Sequence, residues 1–255
     1  MNRRHWLVGL GSSALGLVLA GCDKLAQSPT LVPKISKAET FNLSVQRLLG
    51  RHALAREFTR ADISRDFKAN GTLHPGDADY QALAANQFAD YVLTIDGLVE
   101  QPMKLTLEQL RAEAARTQIT RHDCVEGWSS IGEWTGAKLA PLLEKARLKP
   151  QAKYIVFHCL DTLAPGAADN TQGRYYESID LIDAFHPQTI LAYQMNGQPL
   201  PIPHGAPVRL RVERQLGYKH AKYVGRIEAV ADLKGIGGGQ GGFWEDRGYE
   251  WFAGI

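Results

Sequence analysis

The second half of the chain is a succession of short apolar segments separated by turn residues, and this pattern restricts the fold more than any other feature. Residues 154–159 (YIVFHC) and 223–230 (YVGRIEAV) are rich in the β-branched and aromatic residues that favour strands. Residues 189–194 form a third segment, and the Asn196-Gly197 pair after it is a strong tight-turn signal. These segments lack the regular helical crossovers of a parallel nucleotide-binding sheet. We therefore predict an α+β fold with mixed β-sheets and surrounding helices.

The first half of the body adds helices to this pattern. Within residues 135–147, Leu139, Leu142, Leu143 and Ala146 follow the i, i+3, i+4, i+7 spacing of one helix face. Further helices are predicted over 80–88 and 107–115, and further strands over 91–96, 103–105 and 208–212. The sequence has no GxGxxG motif after a strand, no P-loop and no HExxH motif. It therefore does not fit the common nucleotide-binding and zinc-peptidase classes.

The N-terminus predicts an exported lipoprotein. Arg3 and Arg4 precede an apolar run of 14 residues over 7–20, shorter than the about 20 residues of a membrane-spanning helix and typical of an export signal. The arginine pair resembles a twin-arginine signal, and Leu-Ala-Gly-Cys at 19–22 resembles a bacterial lipobox. We predict a signal peptide over 1–21 and a lipid on Cys22. A plain signal peptide with an incidental cysteine is the alternative.

The predicted organisation after the signal is a lipidated tether over 22–37 and one domain over 38–255. Asp23 resembles the signal that retains lipoproteins in the inner membrane, so the expected location is the periplasmic side of that membrane. The formal net charge is +2 without a basic run, which argues against nucleic acid as a partner. Five aromatic residues in the last 13 are expected to pack on the body.

The segment TRHDCVEGWSSIGEW, residues 120–134, places one of only three cysteines among charged and aromatic residues. Cys124 has three interpretations. It is a buried packing residue, a nucleophile that takes a histidine as base, or a metal ligand whose thiolate is favoured by Arg121 and His122. A single cysteine does not hold zinc or an iron–sulfur cluster. The third interpretation therefore requires a metal that an organic cofactor also holds.

Basic residues cluster around glycine turns further along the chain, at 204–209 (HGAPVR) and 217–222 (GYKHAK). Arginine and lysine beside glycine turns suit an anionic group, because guanidinium and backbone N–H groups are its usual donors. Ordinary surface charges beside hairpin turns are the alternative.

Several ordered blocks of the sequence resemble the molybdenum-cofactor domain of the sulfite oxidase family. They are RHDCVEGWS at 121–129, WTG at 134–136, LAYQMNGQPLP at 191–201, HGAPVRL at 204–210, and the segment 217–223 with the aromatic tail. The resemblance covers about residues 93–255. It is strongest to the bacterial exported, haem-free catalytic subunits, which include methionine sulfoxide reductase subunits.

The resemblance implies a set of cofactor contacts. Cys124 would be the protein ligand of a molybdenum ion whose other sulfur ligands come from molybdopterin, and soft thiolate suits that centre. The implied contacts to pterin, phosphate and pocket are Asn70, Arg121, His122, Trp128, His204, Arg209, His220, Ala221 and Lys222. Cys159 matches a position near the metal, with strand packing as the alternative. Tyr175, or Tyr176 if the register shifts by one, would donate a hydrogen bond to the oxo group.

The sequence also departs from that family. Residues 125–131 lack the arginine that holds an oxyanion in sulfite oxidases, which disfavours sulfite. We expect a monomeric catalytic subunit without haem that transfers an oxygen atom to or from a small sulfur substrate. Its electrons would pass through a separate membrane cytochrome or quinone-linked subunit. The alternatives are a non-enzymatic periplasmic binding or scaffold lipoprotein and, as a weaker one, a cysteine hydrolase.

Overall fold

The computed structural model describes residues 41, 43–48, 50–166 and 171–255, and the chain divides into two units, Met1–Ala53 and Leu54–Ile255. In the first unit, residues 41, 43–48 and 50 are helical. The predicted signal peptide, Cys22 and the tether lie outside the described residues. Among the helices of the described part, none has the length and apolar character needed to cross a membrane.

The described part of the second unit contains ten strands in two sheets. The strands are β1 (Val92–Gly97), β2 (Met103–Thr106), β3 (Ala115–Asp123), β4 (Ser129–Lys138), β5 (Tyr154–Thr162), β6 (Arg174–Asp180), β7 (Ile190–Met195), β8 (Gln198–Pro199), β9 (Arg209–Arg211) and β10 (Val224–Val230). The first sheet has the order β2-β1-β10-β5-β6, and the second has β3-β4-β7-β8 with β9 also paired to β7. The β1–β10 pair is parallel and the other described pairs are antiparallel. The predicted α+β class with mixed sheets is confirmed.

Short helices connect and flank the strands. The α-helices are α1 (Ala78–Ala85), α2 (Leu107–Ala112), α3 (Leu139–Ala146) and α4 (Leu181–Ala184), and 3-10 turns occur at Arg60–Asp62, Ile202–His204, Gly217–Lys219 and Glu245–Arg247. The four apolar residues that predicted α3 are all fully buried. The helix ends where Arg147 adopts a left-handed conformation with φ 57°.

The main core contains residues from both sheets and from α3. Strand β7 explains how the second sheet contributes, because its side chains alternate between two clusters. Leu191 and Tyr193 belong to the main core, whereas Ile190 and Ala192 pack with Trp134 in a second cluster. A strand that is buried on both faces reads as a continuous apolar run, which is why the sequence predicted β7 correctly.

Two predicted helices are longer than the observed ones. Residues 135–138, predicted as the start of a helix, are the end of β4 and pair with β7. At Gly136 a Cβ atom would lie 2.3 Å from the Leu191 carbonyl oxygen, so the two strands approach more closely there than a side chain permits. The helix predicted over 107–115 ends at Ala112, and Ala115 begins β3.

The aromatic tail packs on the first sheet, as predicted. Phe243 is buried against Val156 and Tyr176, and its backbone N–H donates to the Tyr176 carbonyl at 3.0 Å. Trp244 packs at the edge of the same cluster. The tail therefore lies over the outer face of β5 and β6 and reaches the region where the candidate site forms.

Candidate active site

Cys124 lies at the tip of the β3–β4 hairpin. The two strands pair in continuous register up to Asp123 opposite Ser129. The turn is closed by Cys124 N–H donating to the Trp128 carbonyl at 2.9 Å, and Gly127 takes the positive φ of 85° that the turn requires. The cysteine is thus held at a fixed point by a long hairpin and is 7% exposed.

Cys124 faces a cavity of about 200 Å³. Six of the predicted site residues line this cavity: Asn70, Cys124, Tyr175, Arg209, His220 and Lys222. They come from the loop before α1, the β3–β4 hairpin, β6, β9 and the loop before β10. Segments distant in sequence therefore converge on one concave site, as ligand-binding sites commonly require.

The Cys124 sulfur has a defined hydrogen-bond partner. The side-chain amide Nδ2 of Asn70 donates to Sγ at 3.4 Å. In the part of the chain that the structure describes, no histidine nitrogen makes a hydrogen bond to this sulfur. A cysteine hydrolase needs a base in contact with its nucleophile, so the geometry disfavours that alternative.

Arg209 is a buried cation beside the cavity, with 3% exposure. Its terminal nitrogens donate to the His204 carbonyl at 3.0 Å and the His220 carbonyl at 3.3 Å. Its Nε is buried and has no hydrogen-bond partner among the described residues. Burial, together with the neighbouring Arg211 guanidinium, lowers the pKa of Arg209 to about 9. An anion in the cavity would relieve both penalties.

Lys222 is anchored by the backbone. Its ammonium donates to three carbonyl oxygens, those of Asn70 at 2.7 Å, Thr72 at 2.5 Å and Pro203 at 2.9 Å. Burial and the nearby Arg209 guanidinium lower the pKa of Lys222 to about 7. The ammonium thus adds positive potential to the cavity while its hydrogens serve the surrounding loops.

Two buried histidines adopt defined tautomers. Arg211 can only donate, so His122 Nδ1, 3.0 Å from its NH1, is an acceptor and the proton is on Nε2. His220 Nε2 donates to the Gln215 carbonyl at 3.0 Å, which leaves Nδ1 as an acceptor. Burial first, and then Arg211, lower the pKa of both rings, which are therefore neutral at neutral pH. Within the described residues neither His122 Nε2 nor His220 Nδ1 has a partner.

Acidic and aromatic residues complete the cavity wall. Tyr175 donates its hydroxyl proton to the Tyr218 carbonyl at 2.6 Å, and burial raises the pKa of Tyr175. Asp161 is 4% exposed, and burial also raises the pKa of its carboxyl. Glu126 is exposed and accepts a hydrogen bond from Trp128 Nε1 at 2.8 Å. The cavity thus carries two carboxylic acids besides its cations.

The other predicted site residues lie behind or beside the cavity. His122 is buried with its ring 5.0 Å from that of His220. The His204 ring stacks edge-on against Phe67 at 5.6 Å, and burial lowers the pKa of His204 to about 4. Arg121 is exposed and pairs with Asp123. Cys159 is a free thiol in the main core. The backbone N–H of Ala221 donates to the Lys219 carbonyl at 3.2 Å.

Ten residues of the cavity wall were not predicted from the sequence. The additional lining residues are Gly71, Thr72, Val125, Glu126, Asp161, Leu163, Gly217, Tyr218, Trp244 and Tyr249. Glu126 lies two residues after Cys124, and that spacing was the available signal. Trp244 and Tyr249 belong to the tail, whose packing was predicted without its contribution to the site.

Comparison with known proteins decides the family. Residues 80–234 match the family described as "Oxidoreductase molybdopterin binding domain". The chain belongs to this family. It is a molybdopterin-dependent oxidoreductase of the sulfite oxidase type, as the sequence blocks around Cys124 and Arg209 predicted. The matched region includes Cys124, Tyr175, Arg209, His220 and Lys222, whereas Asn70 precedes it.

Two relatives of this oxidoreductase carry the name protein-methionine-sulfoxide reductase. The chain is 34% identical over 238 residues to a protein of Azospira oryzae provisionally named as protein-methionine-sulfoxide reductase subunit YedZ1, covering 93% of the chain and 82% of that protein. It is 39% identical over 146 residues to the protein-methionine-sulfoxide reductase catalytic subunit MsrP of Gluconobacter oxydans, covering 55% of the chain and 47% of that protein. The chain thus spans about half the length of MsrP.

A solved structure also shows partial similarity. The sulfane dehydrogenase SoxCD of Paracoccus pantotrophus is 26% identical, with a TM-score of 0.48, over 56% of this chain and 39% of that one. That overlap is too low to define the fold of this oxidoreductase.

The cavity of this oxidoreductase fits molybdopterin chemically. The pterin cofactor combines an anionic phosphate, a ring with N–H donors and a metal that accepts soft ligands. The Arg209 Nε–H is a donor left over for an anion, and His220 Nδ1 is an acceptor left over for an N–H group. Cys124 supplies the soft sulfur. Both unused buried atoms are thus of the type that the cofactor would satisfy.

Proposed function

We propose that this chain reduces a sulfoxide, of the kind that oxidised methionine carries, to a thioether. The observation that carries the proposal is that the Glu126 carboxylate lines the cavity two residues after Cys124, whereas Arg209 is the one lining arginine among the described residues. A carboxylate repels an anion such as sulfite and tolerates a neutral sulfoxide. The names of the relatives support the same direction.

The residues of the chain have separate tasks in this proposal. Cys124 would hold molybdenum, and Arg209 and His220 would hold the phosphate and pterin of the cofactor. When bound, the cofactor supplies the two-electron oxygen-atom chemistry that no side chain can perform. Trp244 and Tyr249 line the cavity with aromatic surface, which suits the methyl and methylene groups beside a sulfoxide.

Asp161 is the proposed proton donor. Reduction of a sulfoxide consumes two electrons and two protons, breaks the S–O bond and releases a thioether and water. Asp161 Oδ1 is buried and, within residues 50–166 and 171–255, unpartnered. Burial raises the pKa of Asp161 and outweighs the Thr72 hydroxyl and the Lys222 ammonium, which lower it, while Asp77 adds to the rise. Burial favours the protonated form of this carboxyl, which is the form that can give a proton to the departing oxygen.

Substrate assays test this proposal. Reduced viologen would supply electrons for methyl sulfoxides, and ferricyanide would accept them from sulfite. We expect kcat/KM for sulfoxide reduction with viologen to exceed kcat/KM for sulfite oxidation with ferricyanide by at least about a hundredfold. Equal or faster sulfite oxidation would reject the assignment.

We further propose export by the twin-arginine route, a lipid on Cys22 and electron delivery by a separate membrane-bound cytochrome or quinone-linked subunit. The support is the N-terminal sequence, with its arginine pair, short apolar run and lipobox. Mass spectrometry of the mature N-terminus tests it. A diacylglyceryl-modified Cys22 is expected in the wild type, and a Cys22→Ala variant should leave the membrane fraction. An unmodified N-terminus upstream of residue 22 would contradict the prediction.

A further inference from the structure

The hydrogen bonds of Lys222 do not fit the phosphate contact that its family position implies. An ammonium has three N–H donors, and all three are engaged by backbone carbonyls, two of them in the segment 70–72 and one at Pro203. Arg209, by contrast, keeps an unused donor at Nε when the described residues are considered. A donor for an anion is therefore available from Arg209 and not from Lys222.

Lys222 instead joins the segment 70–72, which precedes α1, to the loop before β10. The carbonyls of Asn70 and Thr72 flank Gly71, which has a positive φ of 62° and turns both oxygens toward the ammonium. The Tyr223 hydroxyl also donates to the Thr72 carbonyl, at 2.7 Å. The short segment 70–72 is thus tied to the loop before β10 by side-chain donors.

The same segment carries the amide that contacts the sulfur. Asn70 accepts from Lys222 through its backbone oxygen and donates to Cys124 Sγ through its side chain. A hydrogen bond to a ligand thiolate withdraws electron density from the sulfur and so tunes the metal that it binds. The position of one backbone carbonyl therefore fixes the position of the amide at the sulfur.

We propose that Lys222 is a positioning residue: its ammonium clamps residues 70–72 so that the Asn70 amide stays on the Cys124 sulfur. The clamp follows from the geometry of the chain. Its consequence for the metal rests on the proposed role of Cys124 as molybdenum ligand.

Alkylation of Cys124 tests the clamp without requiring activity. The full chain is produced without molybdate and treated with iodoacetamide, and Cys124 modification is followed by peptide mass spectrometry with Cys159 as the buried reference. We expect Asn70→Ala and Lys222→Met to change the modification rate in the same direction, each by about threefold to tenfold, the factor that loss of one hydrogen bond represents. The double variant should react at the rate of Asn70→Ala, because both changes remove the same contact.

Lys145→Met is the matched control. It removes an ammonium that pairs with Glu113 on the surface, and its Cys124 should react at the wild-type rate. If Lys222→Met fails to fold, Lys222→Arg, which keeps the charge but not the three contacts of a single ammonium, must still change the rate in the same direction as Asn70→Ala. Unchanged reactivity in Asn70→Ala, or additive effects in the double variant, would overturn the proposal.

A second readout uses the molybdenum-loaded protein. Loss of the amide makes the thiolate a stronger donor, so the midpoint potential of molybdenum should fall in Asn70→Ala and in Lys222→Met alike. If Lys222→Met loses molybdenum while Cys124 reactivity stays at the wild-type level, Lys222 binds the cofactor directly and is no positioning residue. Failure of sulfoxide reduction with an intact clamp would count against the proposed function alone.

Discussion

The buried charge cluster of Lys219, Glu177 and Glu245 joins the C-terminal tail to the body and makes a quantitative prediction. Lys219 Nζ contacts Oε1 of Glu177 and lies 2.6 Å from Oε1 of Glu245, and all three side chains are at most 1% exposed. Glu177 is on β6, and Glu245 is in the tail beside Trp244, which lines the cavity. Disruption of the cluster should therefore affect both stability and the cavity wall.

The charges of this cluster do not balance unless one acid is protonated. One ammonium faces two carboxyl groups. Burial raises the pKa of Glu177; Lys219 works against that shift and Glu245 adds to it. The two acids in turn raise the pKa of Lys219 although burial opposes this. The arrangement that follows is one ammonium, one carboxylate and one neutral carboxyl group on Glu177.

Lys219→Met should then lower the free energy of unfolding much more than Glu177→Gln does. Removal of Lys219 leaves a buried carboxylate without its cation, which costs about 3–5 kcal/mol. That loss corresponds to a decrease of roughly 6–20 °C in melting temperature for a domain of this size. Glu177→Gln replaces a neutral acid by a neutral amide of the same shape and should cost less than about 1.5 kcal/mol.

The stability loss of Lys219→Met should also depend on pH, and the direction of that dependence tests the charge assignment. A folded-state pKa that is raised above its unfolded value contributes stability at low pH that is lost as pH rises. Without Lys219 the pKa of Glu177 loses the cation that lowers it, so the deficit of Lys219→Met should be largest at pH 8 and smallest near pH 5. Urea unfolding followed by tryptophan fluorescence measures both. A Glu177→Gln variant as unstable as Lys219→Met, or a deficit independent of pH, would refute the charge assignment.

Two further predictions concern the cavity itself. Asp161→Asn should lower kcat for sulfoxide reduction about a hundredfold or more. It should also remove the decline in rate that we expect of the wild type as pH rises through the elevated pKa of Asp161; unchanged kcat and pH profile would reject Asp161 as the donor. Glu126→Arg should tighten inhibition by sulfite on the order of tenfold, because a cation replaces a partly solvated carboxylate. The KM for a neutral sulfoxide should stay within about threefold of the wild-type value. Unchanged sulfite binding would show that Glu126 does not determine selectivity.

The parts of the fold that local pattern controls were predictable from the sequence. Strand β7 reads correctly because both of its faces are apolar, and α3 because its buried face keeps helical spacing. The helical spacing does not reveal where a helix begins. Residues 135–138 became strand because β7 pairs with them, and the close approach at Gly136 depends on that partner.

Strand β6 shows what long-range contacts decide. Its sequence places Glu177 and Ser178 side by side, which does not resemble a buried strand. Both are nevertheless fully buried, because Lys219 pairs with the first and the Gly241 carbonyl accepts from the second. Polar residues become acceptable in a core only when distant partners satisfy them, and those partners are not visible in a local pattern.

The candidate site likewise contains residues that local motifs predict and residues that only long-range packing places there. Cys124, Arg209 and His220 were predicted because their motifs are local, and the structure brings them to one cavity. Asp161 was missed, because its approach to the cavity depends on how β5 packs. The role of Lys222 was likewise unreadable, since its three acceptors are backbone oxygens of residues 70, 72 and 203.

X-ray absorption at the molybdenum edge tests whether Cys124 is the protein ligand of molybdenum, because it counts the sulfur atoms bound to the metal. Cys124→Ser is compared with Cys159→Ser, which changes the other described cysteine and lies in the main core. We expect one sulfur ligand fewer in Cys124→Ser and an unchanged count in Cys159→Ser. An unchanged sulfur count in Cys124→Ser, or purified wild type without molybdenum after expression with molybdate, would contradict this expectation.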